Sequence, residues 1–303
     1  MPSPPPAEPV LVETARAKLN LDLLLTGKRA NGYHELDSLV VFAEVADRLT
    51  LRPAARLAVD CVGPFAADLP PGDGNIVRRA VQRLAAALGT APGVAVTLDK
   101  RLPVASGIGG GSADAAAALR GLARLWGITP DAPVLAETAL ALGSDVLACL
   151  HGRTARMRGI GEQIEFLPPT PPLDLVLLNP GIPLGTPEVF ARVRPEQFAT
   201  RLGLVPERLD AAWLAGSRND LELPARRLLP EIGAVLAALA ATPGCRLARM
   251  SGSGPTCFGL FDDAAAAQSA ASTLAATHPG WWSMATQAGA ESAVNIAPAR
   301  PRA

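Results

Sequence analysis

The densest run of residues suited to chemistry is Pro103 to Asp114, which reads Pro-Val-Ala-Ser-Gly-Ile-Gly-Gly-Gly-Ser-Ala-Asp. Gly107, Gly109, Gly110 and Gly111 fill four of five consecutive positions in it. Glycines so placed let backbone N–H groups approach an anion closely, and a helix beginning at the loop's end adds a favourable dipole. Such a segment holds a phosphate without many cations. Two familiar phosphate patterns do not describe it. GxxxxGK[ST] is absent, because the one Gly-Lys pair, Gly27-Lys28, is followed by Arg29, and GxGxxG fails at Ser112. The plain alternative is a glycine turn with no ligand; its place before an alanine-rich helix favours the phosphate reading. A second glycine-containing loop, Met250 to Thr256, lies near the C-terminus. Of the 28 basic residues only Lys18, Lys28 and Lys100 are lysines, and in a chain that otherwise uses arginine a lysine suits a place needing a compact ammonium.

The elements that position these residues follow from periodicity. Residues 94–99, VAVTLD, read as a strand feeding the glycine loop, and SADAAAALRGLARLW beyond it reads as a helix with Ala115, Leu119, Leu122 and Trp126 on one face. Another helix is predicted from Asn75 to Leu88, with Ile76, Ala80, Leu84 and Leu88 at helical spacing behind Asp73-Gly74. A third, PVLAETALALG, stops at Gly143, and Ser144-Asp145-Val146 follow the turn. Upstream, LNLDLLL reads as a strand entering a hairpin at Asn31-Gly32, and LVVFAEVADRLTL over residues 39–51 as a further strand of an antiparallel start. Polar residues gather at RGIGEQIE before the proline-rich PPTPPL of residues 168–173, which marks a boundary between domains at 10–165 and 166–297, flanked by tails 1–9 and 298–303. A strand at LDLVLLN, the turn-rich PGIPLGTPEVF and helical stretches then complete an α+β arrangement.

Composition narrows the function class. With 303 residues, 49% of them hydrophobic, the chain can bury a sizeable core. The balance of 28 basic against 28 acidic residues argues against a nucleic-acid or anionic-membrane surface and for a small-molecule partner. No stretch approaches the roughly 18 consecutive apolar residues of a membrane span. The start, MPSPPPAEPV, lacks the basic and apolar regions of a secretory signal, and the four cysteines form no CxxC pair, so a cytoplasmic protein is expected. No long heptad or isolated apolar stripe specifies an interface, which leaves monomer and homodimer both open.

Three segments in order carry a resemblance to the GHMP kinases. The glycine loop resembles the second signature of that family. Ala17-Lys18-Leu19-Asn20-Leu21, with Gly32-Tyr33-His34-Glu35-Leu36, resembles the start of the branch whose acceptor carries a cytidine diphosphate. Met250-Ser251-Gly252-Ser253-Gly254-Pro255-Thr256 resembles the third signature. The likeness spans about residues 15 to 260. It implies a ribosomal-protein-S5-domain-2-like N-terminal domain, a ferredoxin-like C-terminal domain, and transfer of the γ-phosphoryl group of ATP, with Mg2+, to the 2-hydroxyl of 4-diphosphocytidyl-2-C-methyl-D-erythritol.

The same resemblance implies roles for residues. Asp145, in Gly143-Ser144-Asp145-Val146, becomes the base and Lys18 its charge partner. Pro103, Val104, Ala105, Ser106, Gly107, Ile108, Gly109, Gly110, Gly111, Ser112 and Ala113 hold the ATP phosphates, and Asn75 and Lys100 lie near the adenine. Tyr33 and Phe190 stack on the two faces of the cytosine, His34 meets the same base, and Asn20 bonds the acceptor's polar part. For magnesium the acidic candidates are Asp114, Glu162 and Asp145. Each residue also has a plain reading: a helix cap for Asp145, a solvated charge for Lys18, a packed aromatic for Tyr33, a structural histidine for His34.

The sequence departs from the family at a few positions. Ala15-Arg16 replaces the usual Ser-Pro pair, placing an arginine near the acceptor pocket; Ala105-Ser106 and Ala113 are expected to be backbone-compatible changes; Ser144 and Leu147 flank the base. Rival readings are another GHMP kinase, acting on homoserine, mevalonate or a sugar, and a nucleotide sensor without turnover.

Overall fold

The structure, a computed structural model, describes residues 10–168, 170–194, 198–199 and 209–289. Its first half opens with strands β1 (Leu11–Asn20), β2 (Leu24–Lys28), β3 (His34–Pro53) and β4 (Ala58–Val62), then α1 (Ile76–Leu88), β5 (Val94–Asp99) and α2 (Gly110–Trp126). It continues through α3 (Pro133–Leu142), α4 (Ser144–His151), β6 (Ala155–Gly159) and β7 (Gln163–Phe166). The second half holds β8 (Leu173–Asn179), α5 (Thr186–Phe190), α6 (Ala211–Ala215), α7 (Glu222–Leu228), α8 (Glu231–Ala241), β9 (Leu247–Met250), β10 (Cys257–Phe261), α9 (Ala264–Thr277) and β11 (Trp282–Ala288).

The organising strand is β3, 20 residues long, which pairs antiparallel with β1, β2, β5, β6 and β11. The expected strand at 39–51 is its middle, and the hairpin at Asn31-Gly32 joins β2 to β3 with Lys28 opposite His34. In the second half the strands lie in the order β11-β8-β10-β9, all antiparallel, with α5 to α8 after the first strand and α9 after the third. That is the ferredoxin-like βαββαβ arrangement. Ala288 opposite Ala43 joins this sheet to β3. A hydrophobic cluster including Leu19, Leu21, Val41, Ile108, Leu175 and Phe258 is shared by both halves.

Local chemistry sets the helices. The Asn75 side chain accepts from the N–H groups of Val77 and Arg78, capping α1, and left-handed Gly89 ends it. The buried face of α1 is Val77, Ala80, Val81, Leu84 and Ala85; Leu88, expected on it, is the last residue of the helix and is exposed. Every residue of α2 from Ala113 to Ala123 is buried, not one face alone. The alanines make it thin enough to be packed all round by β1, β3, α1 and α4. Ser144-Asp145-Val146 open a separate helix, α4, rather than trailing α3; Gly143 at φ +157° makes the corner between the two.

Arg156 on β6 is fully buried and bonds Asp37 of β3 and, at 2.8 Å, Asp22 in the break between β1 and β2. Burial raises the Asp22 carboxyl above its ordinary range, while Arg156 works against that rise. Replacing Arg156 by Met takes from Asp22 and Asp37 the buried cation they share, while Asp37 keeps the longer contact to Arg158 at 3.5 Å. The expected cost is about 3–5 kcal/mol of unfolding free energy, measured as a lower denaturant midpoint with an unchanged slope.

Candidate functional site

The glycine loop is seated by backbone contact, residue by residue. The Lys18 N–H donates to the Ile108 carbonyl at 2.9 Å, where the β1 register shifts between Arg16 and Lys18. Thr256 N–H donates to the Ser106 carbonyl at 3.1 Å, and the Ser251 hydroxyl donates to the Gly107 carbonyl at 3.1 Å while accepting from Asn20 N–H. Gly107, at φ +74°, has no room for a side chain: a Cβ would lie 2.6 Å from the backbone of Gly254 and 2.7 Å from the Ser251 carbonyl. Three segments far apart in sequence thus meet at one point. Ala105 adopts φ +50°, a left-handed conformation that costs an alanine about 1–2 kcal/mol, so the backbone takes the alanine there at a cost in strain. Its carbonyl accepts from Leu184 N–H, tying the loop to the approach to α5.

The loop forms one wall of a cavity of about 990 Å³, and Gly110, Gly111 and Ser112 are the first turn of α2, so its N–H groups open into the cavity. Positions along the wall face different groups. A Cβ on Gly109 would be 3.1 Å from the Lys18 side chain, one on Gly110 3.1 Å from Lys100 Nζ, and one on Gly111 3.8 Å from Ile76.

At the Gly109 end, Lys18 Nζ lies 2.9 Å from Asp145 Oδ1 and 3.3 Å from Asn20 Oδ1. Lys18 is buried, whereas the Asp145 side chain is 41% exposed into the cavity. Asn20 uses its Nδ2 on Ser38. Arg16 does not line the cavity; its guanidinium donates to the Gly152 carbonyl at the end of α4 and lies over Phe42. Leu147 packs on the N-terminal core and Ser144 reaches the cavity beside Asp145.

At the Gly110 end, Lys100 is held by two buried carboxylates, Asp47 and Asp114, each at 2.6 Å. Asp47 Oδ1 also accepts from the N–H groups of Arg101 and Leu102, whereas Asp114 Oδ1 is buried with no partner among the described residues. Asp114 is therefore the group that holds a proton: burial pushes it up to about 8, with Lys100 pulling back and Asp47 pushing further. Burial lowers Lys100, but its two carboxylates outweigh that and raise it. Asn75, spent on capping α1, and Lys100 both line the cavity here.

The opposite mouth carries the aromatic residues. His34 packs on Phe190 with ring centroids 5.2 Å apart, while Tyr33, 62% exposed at the hairpin tip, makes no ring contact among the described residues. Burial and nearby Lys28 lower the His34 pKa, so at pH 7 the imidazole is neutral and offers one donor and one acceptor. Lys28 is exposed at the same mouth.

Sequence reasoning did not single out Asp47, whose signal was a carboxylate inside an apolar strand, and gave Ser251 and Ser253 of the late loop no role of their own. Ser253 Oγ lies 2.8 Å from Thr186 Oγ, closing the cavity beside Phe190. Of the acidic candidates for magnesium, Asp114 is engaged by Lys100 and Glu162 by Arg29 at 2.7 Å; Asp145 alone keeps an oxygen, Oδ2, open to the cavity. Among the described residues no group of three metal-ligating side chains occurs, and no helix is long and apolar enough to cross a membrane.

Residues 75–153 match the family described as GHMP kinases N terminal domain, and residues 200–280 match GHMP kinases C terminal. A protein of Parvibaculum lavamentivorans named 4-diphosphocytidyl-2-C-methyl-D-erythritol kinase is 54% identical over 92% of this chain and 98% of its own. One of the same name from Paramagnetospirillum magneticum is 53% identical over 88% and 95%. Among solved structures, a 4-(cytidine 5'-diphospho)-2C-methyl-D-erythritol kinase superposes with TM-score 0.75 at 36% identity, covering 93% of this chain and all of the other. The mevalonate kinase of L. major, in complex with R-mevalonate, shares the fold at TM-score 0.67 and 18% identity.

Two outcomes follow from the geometry. Gly107→Ala forces the glycine loop off Gly254 and Ser251, and is expected to raise KM for the nucleotide by about tenfold or more with secondary structure kept; steady-state kinetics and circular dichroism read this together. Asp114 holds its proton in the folded chain up to about pH 8 but loses it near pH 4 when unfolded. Its contribution to stability is therefore full below about pH 4 and falls as pH rises through about 8. Asp114→Asn removes that titration, so chemical denaturation across pH 4–9 should show a flatter stability profile and a variant gaining on the unaltered protein towards pH 9.

Proposed function

The chain belongs to the GHMP kinase family, and on that premise we propose that it phosphorylates the 2-hydroxyl of 4-diphosphocytidyl-2-C-methyl-D-erythritol with ATP, giving the 2-phosphate and ADP on the non-mevalonate route to isoprenoid precursors. The observation that carries the reading is the Lys18–Asp145 pair at 2.9 Å beside Gly109, at the end of the glycine wall that leads to the aromatic mouth. The relatives at 54% and 53% identity bear the name of that kinase.

ATP lies with its phosphates along Pro103–Ala113, on the first turn of α2, and its adenine towards Asn75 and Lys100. The acceptor enters at the other mouth. Its cytosine stacks on Tyr33, whose exposed ring makes no ring contact among the described residues, with Phe190 behind and His34 reading the edge through a neutral imidazole. Asn20 meets the polar chain of the acceptor next to Lys18. Asp145 takes the proton of the 2-hydroxyl as the hydroxyl oxygen attacks the γ-phosphorus and the bond from that phosphorus to the bridging oxygen breaks, ADP leaving with the electron pair while the Lys18 ammonium balances the charge. Mg2+, when bound with ATP, neutralises phosphate charge. The Ser112 hydroxyl at the helix N-terminus suits a hard cation held chiefly by phosphate and water, which leaves Asp145 Oδ2 for the proton. We place the boundary between the two domains at residues 165–166.

ADP release by the purified protein with ATP and Mg2+, compared across the cytidylyl acceptor, mevalonate and homoserine, tests this. Turnover with the first alone is expected; turnover with another alcohol removes the cytosine site at Tyr33, His34 and Phe190. Asp145→Asn should bind both ligands yet lose about a hundredfold or more in kcat, and near-normal turnover in that variant removes Asp145 as the base.

A further inference from the structure

Arg29 begins the tight turn that carries Tyr33. Its N–H donates to the Tyr33 carbonyl at 2.7 Å, and its own carbonyl accepts from Gly32. Its side chain leaves the hairpin in two directions. Nε bonds Glu35 Oε1 at 3.0 Å on the same hairpin, and Nη2 bonds Glu162 Oε1 at 2.7 Å, a residue 133 positions away. Glu162 sits in the turn between β6 and β7, its other oxygen accepting from Ile160 N–H at 2.5 Å, so the carboxylate is fixed at both ends. The turn in turn leans on the catalytic helix: a Cβ on Gly161 would come 2.9 Å from the Ser144 hydroxyl, one residue before Asp145.

We infer that Arg29 and Glu162 form a latch that couples the acceptor's base-binding hairpin to Asp145, so that the hairpin's seating on the acceptor and the placement of the base's carboxylate are one event. Hairpin, arginine, glutamate and turn are joined by bonds, the buried Gly161 of the turn lies close against the helix N-terminus, and Tyr33, His34, Ile160, Ser144 and Asp145 all line that side of the cavity. Both ion-pairing side chains are only half-buried, so the pair adds little to global stability; what it fixes is the distance between the aromatic mouth and Asp145. Arg29 and Glu162 are positioning residues and touch neither reacting atom.

The inference rests on the substrate assignment above, and two measurements separate their failures. In steady-state kinetics, Glu162→Gln and Arg29→Met are each expected to lower kcat/KM for the cytidylyl acceptor by about tenfold or more while KM for ATP stays within about twofold. The double variant should lose no more than the larger single loss. Efficiency within about twofold of the unaltered enzyme, or losses that add in the double variant, overturns the latch. The second measurement needs no substrate. Tyr33 is the single tyrosine of the chain, so 3-fluorotyrosine incorporation gives one fluorine resonance at the hairpin tip. Glu162→Gln should shift or broaden it in the free enzyme, and an unchanged resonance overturns the latch whichever acceptor the enzyme uses. Turnover by the unaltered enzyme judges the substrate assignment by itself.

Discussion

Everything at this site depends on a close approach of backbone to backbone. Gly107 lies so near Gly254 and Ser251 that no side chain fits between them, and around that point Ile108 bonds Lys18, Ser106 bonds Thr256, and Ser251 bonds both Gly107 and Asn20. The N-terminal strand, the glycine loop and the C-terminal loop are thereby fixed to one another at hydrogen-bond precision. An anion cradle made of N–H groups works only if those groups do not have to reorganise when the phosphate arrives. The seating supplies that rigidity, and it needs both halves of the chain.

Charge is handled differently at the two ends of the glycine wall. At Gly109 a buried ammonium faces a carboxylate left partly in the cavity, which suits a group that must exchange a proton with a ligand. At Gly110 a buried ammonium is closed in by two carboxylates with nothing exposed. One of these, Asp47, is satisfied by two backbone N–H groups, and the other keeps its proton. The cluster therefore adds no net charge under the nucleotide end, and Lys100 is held in place as much as it is available.

What was legible in the sequence was what is local. The glycine loop, the strand at 94–99 and the helix capped by Asn75 follow from spacing within a dozen residues, and the three family signatures named the site's parts. The hidden parts are contacts across the chain. Asp145 and Lys18 are 127 residues apart, and only the resemblance linked them. Asp47 stood as a lone carboxylate in an apolar strand, 53 residues from the lysine that explains it. Helix α4 escaped because it is eight residues long and starts directly at the glycine that ends α3. Glu162, one of three acidic residues equally suited to a metal by type, is set apart only by the arginine that the hairpin brings to it.

The three lysines share a further consequence. Lys18 and Lys100 are buried in ion pairs, whereas Lys28 stands exposed where the acceptor hairpin meets the cavity. Arginine carries every other basic side chain and is inert to acylation at neutral pH because its guanidinium stays protonated. An amine-directed reagent thus finds a single reactive side chain on the folded protein, and it lies at the entrance to the site. A fluorophore or immobilising surface attached through that chemistry lands on the mouth of the cavity.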